Sequence, residues 1–209
     1  MKPLVIYNRL YKYFGPQHWW PISSKRGDKR FEICVGAILT QNTNWQNVEK
    51  ALTNLRKEKM LTACVIAKCQ TSKLERLIKP SGYYRQKAKK LKIFSKYICD
   101  NYKADTKKFL QGNLLNKREE LLSIWGIGPE TVDSILLYAG GKPIFVIDAY
   151  TKRLCAECGV TFKNYEEYQK YFEKHVPKSV KKYNEFHALI VKWGKEHSKN
   201  KKKTLISRA

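Results

Sequence analysis

Residues 121–131, Leu121-Leu122-Ser123-Ile124-Trp125-Gly126-Ile127-Gly128-Pro129-Glu130-Thr131, decide the fold. They read as the end of a helix, a tight Gly-Ile-Gly hairpin and the start of a second helix. Glycine at both ends lets the backbone turn sharply and come close to another surface. Pro129 falls at the first helical position, where its missing N–H is not needed. N–H groups of the hairpin and of the next helical turn are then available for a phosphate. An ordinary αα-hairpin also favours Gly in its turn, so this stretch alone leaves both readings open.

Outward from the hairpin the pattern stays helical. Asn116, with Glu119 three residues on, predicts a capping-box start for the first helix, which ends at Gly126. Val132, Ile135, Leu136 and Ala139 share a face of the second, and Gly140-Gly141 closes it. Leu4, Tyr7, Tyr11 and Phe14 predict an N-terminal helix stopped by Gly15-Pro16. Trp45, Val48, Leu52 and Leu55 line a helix over roughly 33–56, broken near Gln41-Asn42-Thr43. Ile144-Phe145-Val146-Ile147 is strand-like but too short to imply a sheet. Asp148 follows as the N-cap of a helix with Thr151, Leu154, Cys155 and Cys158 on its apolar face. Asn164 with Glu167 starts another, ended by Pro177, and Tyr183, Phe186, Ile190 and Trp193 mark the last. The class is all-α.

The 209 residues carry 42 Lys+Arg against 18 Asp+Glu, a formal net charge of +24. With 43% hydrophobic and 12% aromatic residues the chain folds, so a compact body carries the charge and points to a polyanion, nucleic acid or an anionic membrane, with a basic proteome or mere solubility as the plain alternative. No apolar run approaches the about 18 residues of a membrane span, and the first residues lack a signal-peptide core. Six cysteines in a chain of this length fit reduced thiols in a cytoplasm better than a disulfide framework. Cys155-x-x-Cys158 lies on a helix's apolar face without a second ligand pair, so it reads as core thiols. His187 likewise reads as an interior histidine.

The combination Trp125 to Arg153, with Gly126-Ile127-Gly128, Gly140-Gly141-Lys142-Pro143, Val146-Ile147-Asp148 and Arg153 in order, resembles the helix-hairpin-helix, Gly/Pro-rich loop and Asp signature of the endonuclease III superfamily of DNA glycosylases. Leu39-Thr40-Gln41-Asn42-Thr43 and Pro80-Ser81-Gly82-Tyr83-Tyr84-Arg85-Gln86-Lys87-Ala88 match further pieces, so the resemblance spans about 30–195. Trp19-Trp20-Pro21, Phe31-Glu32 and Trp45 are similar to the small, cluster-free bacterial 3-methyladenine glycosylase branch.

The resemblance implies a two-lobed fold: a six-helix bundle over 30–137 ending in the hairpin and a second lobe from 1–29 plus 138–195 carrying the catalytic Asp. The Lys-rich composition without periodicity over 196–209 reads as a basic, disordered tail. The resemblance also implies that Asp148, which alone would be a helix cap worth about 1 kcal/mol, stabilises an oxocarbenium-like sugar and orients the attacking water. Trp19, Trp20 and Trp45 would line the base pocket beside Glu130, where a methylated adenine, a delocalised cation, is drawn to electron-rich rings. Without the resemblance, Trp45 is core and Trp19-Trp20 a staple on the first helix. Gln41 would fill the gap left by the extruded nucleotide and Tyr83 would wedge the other strand, with Asn42 a further DNA-binding residue. Arg85, Lys87, Lys89, Lys90 and Lys92 would serve the phosphate backbone together with Gly126, Ile127, Gly128 and Thr131.

Two departures from the superfamily pattern refine the expectation. Members that also cut the strand carry a Schiff-base lysine two residues after the second hairpin Gly; here Glu130 stands there, with Lys142 nearby as a displaced alternative. Relatives that hold a four-iron, four-sulfur cluster end with four cysteines; here Ser198 stands where a ligand is expected and no Cys follows Cys158. The expectation is a monofunctional, cofactor-free and metal-free enzyme on damaged duplex DNA, monomeric, cytoplasmic and associated with the nucleoid. A glycosylase for mismatched or oxidised bases, a bifunctional lyase, and a non-catalytic helix-hairpin-helix DNA-binding module stay open beside it.

Overall fold

The computed structural model describes residues 2–20 and 28–197, so Pro21 and the tail from residue 198 lie outside the described residues. Among the described residues there are twelve α-helices and no strand. They fall into two compact units, 28–140 and 2–20 with 141–197. The first of these holds eight α-helices, rather than the six expected.

In the 28–140 unit, α2 (Lys29–Leu39) is capped by Asp28, whose side chain accepts from the N–H groups of Arg30 and Phe31. Residues 31–39 are all buried, the mark of a helix surrounded by others. Glu32 within that run is satisfied by Arg56 at 2.8 Å. The chain breaks at 40–44, where the Gln41-Asn42-Thr43 irregularity is expected, and α3 (Trp45–Lys57) buries Val48, Ala51, Leu52 and Leu55. Short α4 (Ala63–Lys68) and α5 (Thr71–Ile78) pack on α6 (Tyr84–Tyr102) through its buried Ala88, Leu91, Phe94 and Ile98. Leu91, Phe94 and Ile98 each contribute about 1.5–3 kcal/mol by leaving water. Cys64 of α4 and Cys99 of α6 form a disulfide, so the all-reduced expectation fails for this pair.

After α7 (Thr106–Leu110), α8 (Leu114–Leu122) starts one turn earlier than the sequence predicts. Asn113, not Asn116, is the cap: its Oδ1 accepts from the N–H groups of Leu115 (2.8 Å) and Asn116 (3.4 Å). Two asparagines three residues apart both suit the start; the extended backbone of residue 113 decides, and Asn116 falls inside the helix. The helix also ends earlier, at Leu122 with Ser123 as its C-cap, rather than at Gly126. α9 (Pro129–Ser134) begins where expected, capped by Gly128, and runs on as a π-turn over Ile135–Ala139.

In the other unit, α1 (Pro3–Phe14) buries Pro3, Ile6 and Leu10, whereas Tyr11 of the expected stripe is exposed. Tyrosine tolerates water at its polar tip, so aromatic spacing misjudged the inward face by one position. α10 (Ala149–Glu157), α11 (Tyr165–His175) and α12 (Val180–His197) complete the unit. α12 buries the expected Tyr183, Phe186, Ile190 and Trp193.

Candidate active site

Ile144–Ile147 belongs to neither helix nor strand, and side chains of α11 bond its backbone instead. Glu173 Oε1 accepts from the Phe145 N–H (2.9 Å), Gln169 Nε2 donates to the Phe145 carbonyl (2.7 Å), and the Tyr165 hydroxyl accepts from the Ile147 N–H (3.2 Å). Tyr165, Gln169 and Glu173 are spaced by four, one line along a helix. That line fixes the strand-like run, and with it the residue at its end.

This residue is Asp148, the N-cap of α10. Its Oδ1 accepts from the Thr151 N–H (2.7 Å) and the Thr151 hydroxyl (2.8 Å). Oδ2 lies 3.5 Å from Nε2 of His187 on α12, and 13% of the Asp148 side chain remains exposed. Burial pushes its carboxyl up, but His187 and the Thr151 bonds together hold it below the ordinary carboxylate range. The helix-cap and anionic-site readings are therefore compatible: one oxygen caps, the other faces His187.

α10 and α12 meet tightly enough to place this pair. A Cβ on Gly194 of α12 would stand 2.1 Å from Cδ1 of Tyr150 on α10. After α1 ends, the chain turns at Gly15, and the Gln17 N–H donates to Glu185 of α12 at 2.6 Å. Trp19 and Trp20 follow with their rings edge-on, 5.5 Å between centroids. The Lys195 ammonium lies 5.7 Å from the Trp19 ring centre. Its pKa is lowered, first by burial and then by Lys192, against an upward pull from Asp148.

In the 28–140 unit the hairpin is braced from within. Arg118 of α8 forms two bonds to Asp133 of α9, with Nε to Oδ1 at 2.8 Å and Asp133 fully buried. Gln41 donates from Nε2 to the Gly126 carbonyl (3.3 Å) and the Thr131 hydroxyl (3.0 Å), while its Oε1 accepts from Lys90. Gly126 has φ +84, and a Cβ there would press on Lys90 at 2.7 Å. Ile127 is buried and its N–H is bonded to the Ile124 carbonyl at 3.3 Å, so it supports the hairpin rather than presenting a donor. Thr131 is also buried, its hydroxyl engaged by Gln41. Gly128 is exposed, as is Glu130 in the first turn of α9.

Tyr83 is 68% exposed and sits in the left-handed region (φ 45) as the cap of α6. Asn42 is exposed with φ 53, and Arg85 is exposed beside the Tyr84 ring. Trp45 is the first residue of α3 and half-buried. Lys89 stacks on the 51%-exposed Trp125 at 4.4 Å. Lys92 donates to the Cys69 carbonyl.

Lys87 requires a correction. It is 1% exposed, and its ammonium donates to the carbonyls of Leu39 (2.8 Å) and Ser81 (2.6 Å), so it cannot reach a phosphate. A lysine among lysines on a helix signals solvent in sequence; that every third or fourth one turns inward is invisible without the neighbouring helix ends. Sequence reasoning also missed His187 as a neighbour of Asp148, because its spacing fits the core stripe of α12. Lys195 and the α11 ladder were missed too, although the Tyr165, Gln169, Glu173 line is legible as a polar stripe.

Residues 35–178 match the family model described as HhH-GPD superfamily base excision DNA repair protein. The chain belongs to the HhH-GPD superfamily. It is 46% identical over 200 residues to a candidate DNA repair glycosylase of Methanocaldococcus jannaschii, covering 94% of this chain and 88% of that one. It is 30% identical to endonuclease III of Thermotoga maritima over 77% of this chain and 71% of the relative. Its fold is similar to a crystal structure of the H. pylori 3-methyladenine DNA glycosylase MagIII bound to 1,N6-ethenoadenine, with a TM-score of 0.81, 30% identity, and 98% and 100% of the two chains covered. The protein is thus a DNA repair glycosylase of the HhH-GPD superfamily. Among the described residues no group of three or more His, Cys, Asp or Glu side chains is arranged to hold a metal ion, and no helix is long and apolar enough to cross a membrane.

Proposed function

We propose that this HhH-GPD protein is a monofunctional glycosylase that removes alkylated purines of the 3-methyladenine type from duplex DNA, acting as a single chain. The observation that carries the reading is the Asp148 carboxylate, held ionised with one oxygen committed to Thr151 and the other beside His187. An N-alkylated adenine is already a cation and a good leaving group. As its bond to the sugar carbon C1′ breaks, the base departs neutral and positive charge moves to the sugar. Asp148 stabilises that charge across a short, water-poor gap. Water then adds to C1′ and gives its proton to the carboxylate, leaving an abasic site.

Glu130 supports hydrolysis over strand cleavage, since a carboxylate cannot form an imine with the sugar. The adjacent Trp19 and Trp20 rings support recognition of a cationic base by aromatic faces. The likeness to the H. pylori enzyme across the whole chain supports an alkylated purine as substrate.

Incubation with methylated duplex DNA, followed by chromatography of released bases and alkali treatment, tests this. Free 3-methyladenine and alkali-labile sites are expected, with no covalent complex after borohydride. A borohydride-trapped complex would make the protein a lyase. Release of oxidised or mismatched bases instead would move it to another specificity.

A further inference from the structure

Lys87 is a buried cation whose partners are two main-chain carbonyls rather than a carboxylate. Isolating an ammonium from water is costly, and an apolar residue would serve the core at this point of α6 better. The two carbonyls account for its presence. Leu39 is the last residue of α2, and its carbonyl has no further turn to bond it. A cation there also meets the negative end of the helix dipole. Ser81 ends a short 3₁₀ turn over Lys79–Ser81 and is itself buried, its hydroxyl donating to Ile78 at 2.8 Å.

Each anchored carbonyl stands two residues before an expected DNA probe: Leu39 before Gln41, Ser81 before Tyr83. Both loops contain a non-glycine residue in the left-handed region: Asn42 (φ 53), which asparagine tolerates, and Tyr83 (φ 45), for which the conformation persists only where surrounding structure enforces it. Lys90, one turn further along α6, grips the Gln41 side chain itself. One helix face thus fixes the roots of both loops and the amide of one.

We propose that Lys87 is a positioning residue for base extrusion, its ammonium locking the Gln41 and Tyr83 loops in the mutual register in which they enter the duplex. This rests on the glycosylase reading above. Burial, with the neighbouring positive charge of Lys90, lowers the Lys87 ammonium to about 8. Lys90 is the one charged group acting on it among the described residues. The lock therefore loosens in mildly alkaline solution.

The full-length protein is mixed with a duplex carrying 2-aminopurine beside a stable abasic analogue, so that fluorescence reports loop insertion; anisotropy reports binding and circular dichroism the melting point. Lys87→Met is expected to bind nearly as wild type but to insert about ten- to a hundredfold more slowly, the scale of a small misplacement. Lys87→Arg should restore insertion. Wild-type insertion should fall between about pH 7 and 9 while that of Lys87→Arg, whose charge does not titrate there, holds. Insertion by Lys87→Met at the wild-type rate, or binding and insertion lost in equal measure, overturns the proposal. If Lys87→Met does not fold, wild-type insertion unchanged across that pH range overturns it. A wild type that inserts its loops but releases no base refutes the glycosylase reading while leaving this result standing.

Discussion

In Asp148 the two carboxylate oxygens have different surroundings, Oδ1 capping α10 through Thr151 and Oδ2 facing His187. The imidazole, when protonated, opposes the burial that would otherwise neutralise the acid. Replacing His187 by Phe should therefore raise the Asp148 pKa and move the acid limb of the pH–rate profile to higher pH. The ratio of its rate to wild type should be lower at pH 5 than at pH 7.5; parallel profiles would show that the histidine only packs. The sign for stability follows from the same shift. Because the carboxyl is lower in the fold than in the unfolded chain, its contribution is complete at neutral pH and is lost as pH falls below the ordinary carboxylate range. As the N-cap of α10, Asp148 was legible in the sequence; a role beyond capping was implied only by the resemblance to the endonuclease III superfamily, since an Asp at a helix start is ordinarily just a cap. His187 was not legible, since a histidine on an apolar helical stripe looks the same whether it faces another helix or an acid.

At the scale of elements, α11 stands in for a missing strand. Gln169 is buried, and its amide bonds the Phe145 carbonyl three residues before Asp148. Gln169→Leu would leave that carbonyl unsatisfied, a cost of about 1–3 kcal/mol in thermal or urea unfolding. The excision rate should fall further than stability alone explains, because the segment delivering Asp148 loses one of its ties; a variant with wild-type turnover would show that the ladder is redundant. Helix starts at Gly128, Asp148 and Asn164 were readable because each cap residue is chemically distinct from its neighbours. The start at Asn113 was not, because a second asparagine with a better-placed glutamate competed with it. The inward face of α1 was misjudged for a similar reason: Tyr counts as apolar in a periodicity yet is content at a surface.

For the molecule as a whole, the charge of +24 divides into cations that face solvent and cations that hold loops together. Within the 85–92 stretch, Lys87, Lys90 and Lys92 are committed to protein partners, Lys89 stacks on exposed Trp125, and Arg85 is exposed. Charge counting predicted a polyanion without revealing that division, which depends on where α6 meets the ends of α2 and the 79–81 turn. Duplex affinity should still fall steeply with salt, by about a thousandfold between 50 and 200 mM if roughly six phosphates are neutralised. A shallow slope in a fluorescence titration would mean that most of the excess charge never meets DNA. The central claim, that one carboxylate turns a DNA-binding fold into a base-removing enzyme, is tested most directly by single-turnover release of 3-methyladenine from methylated duplex DNA, wild type against Asp148→Asn. Asparagine caps a helix as well as aspartate does, so the variant should fold and bind DNA like wild type yet release no measurable base. Retained turnover in that variant would contradict the account.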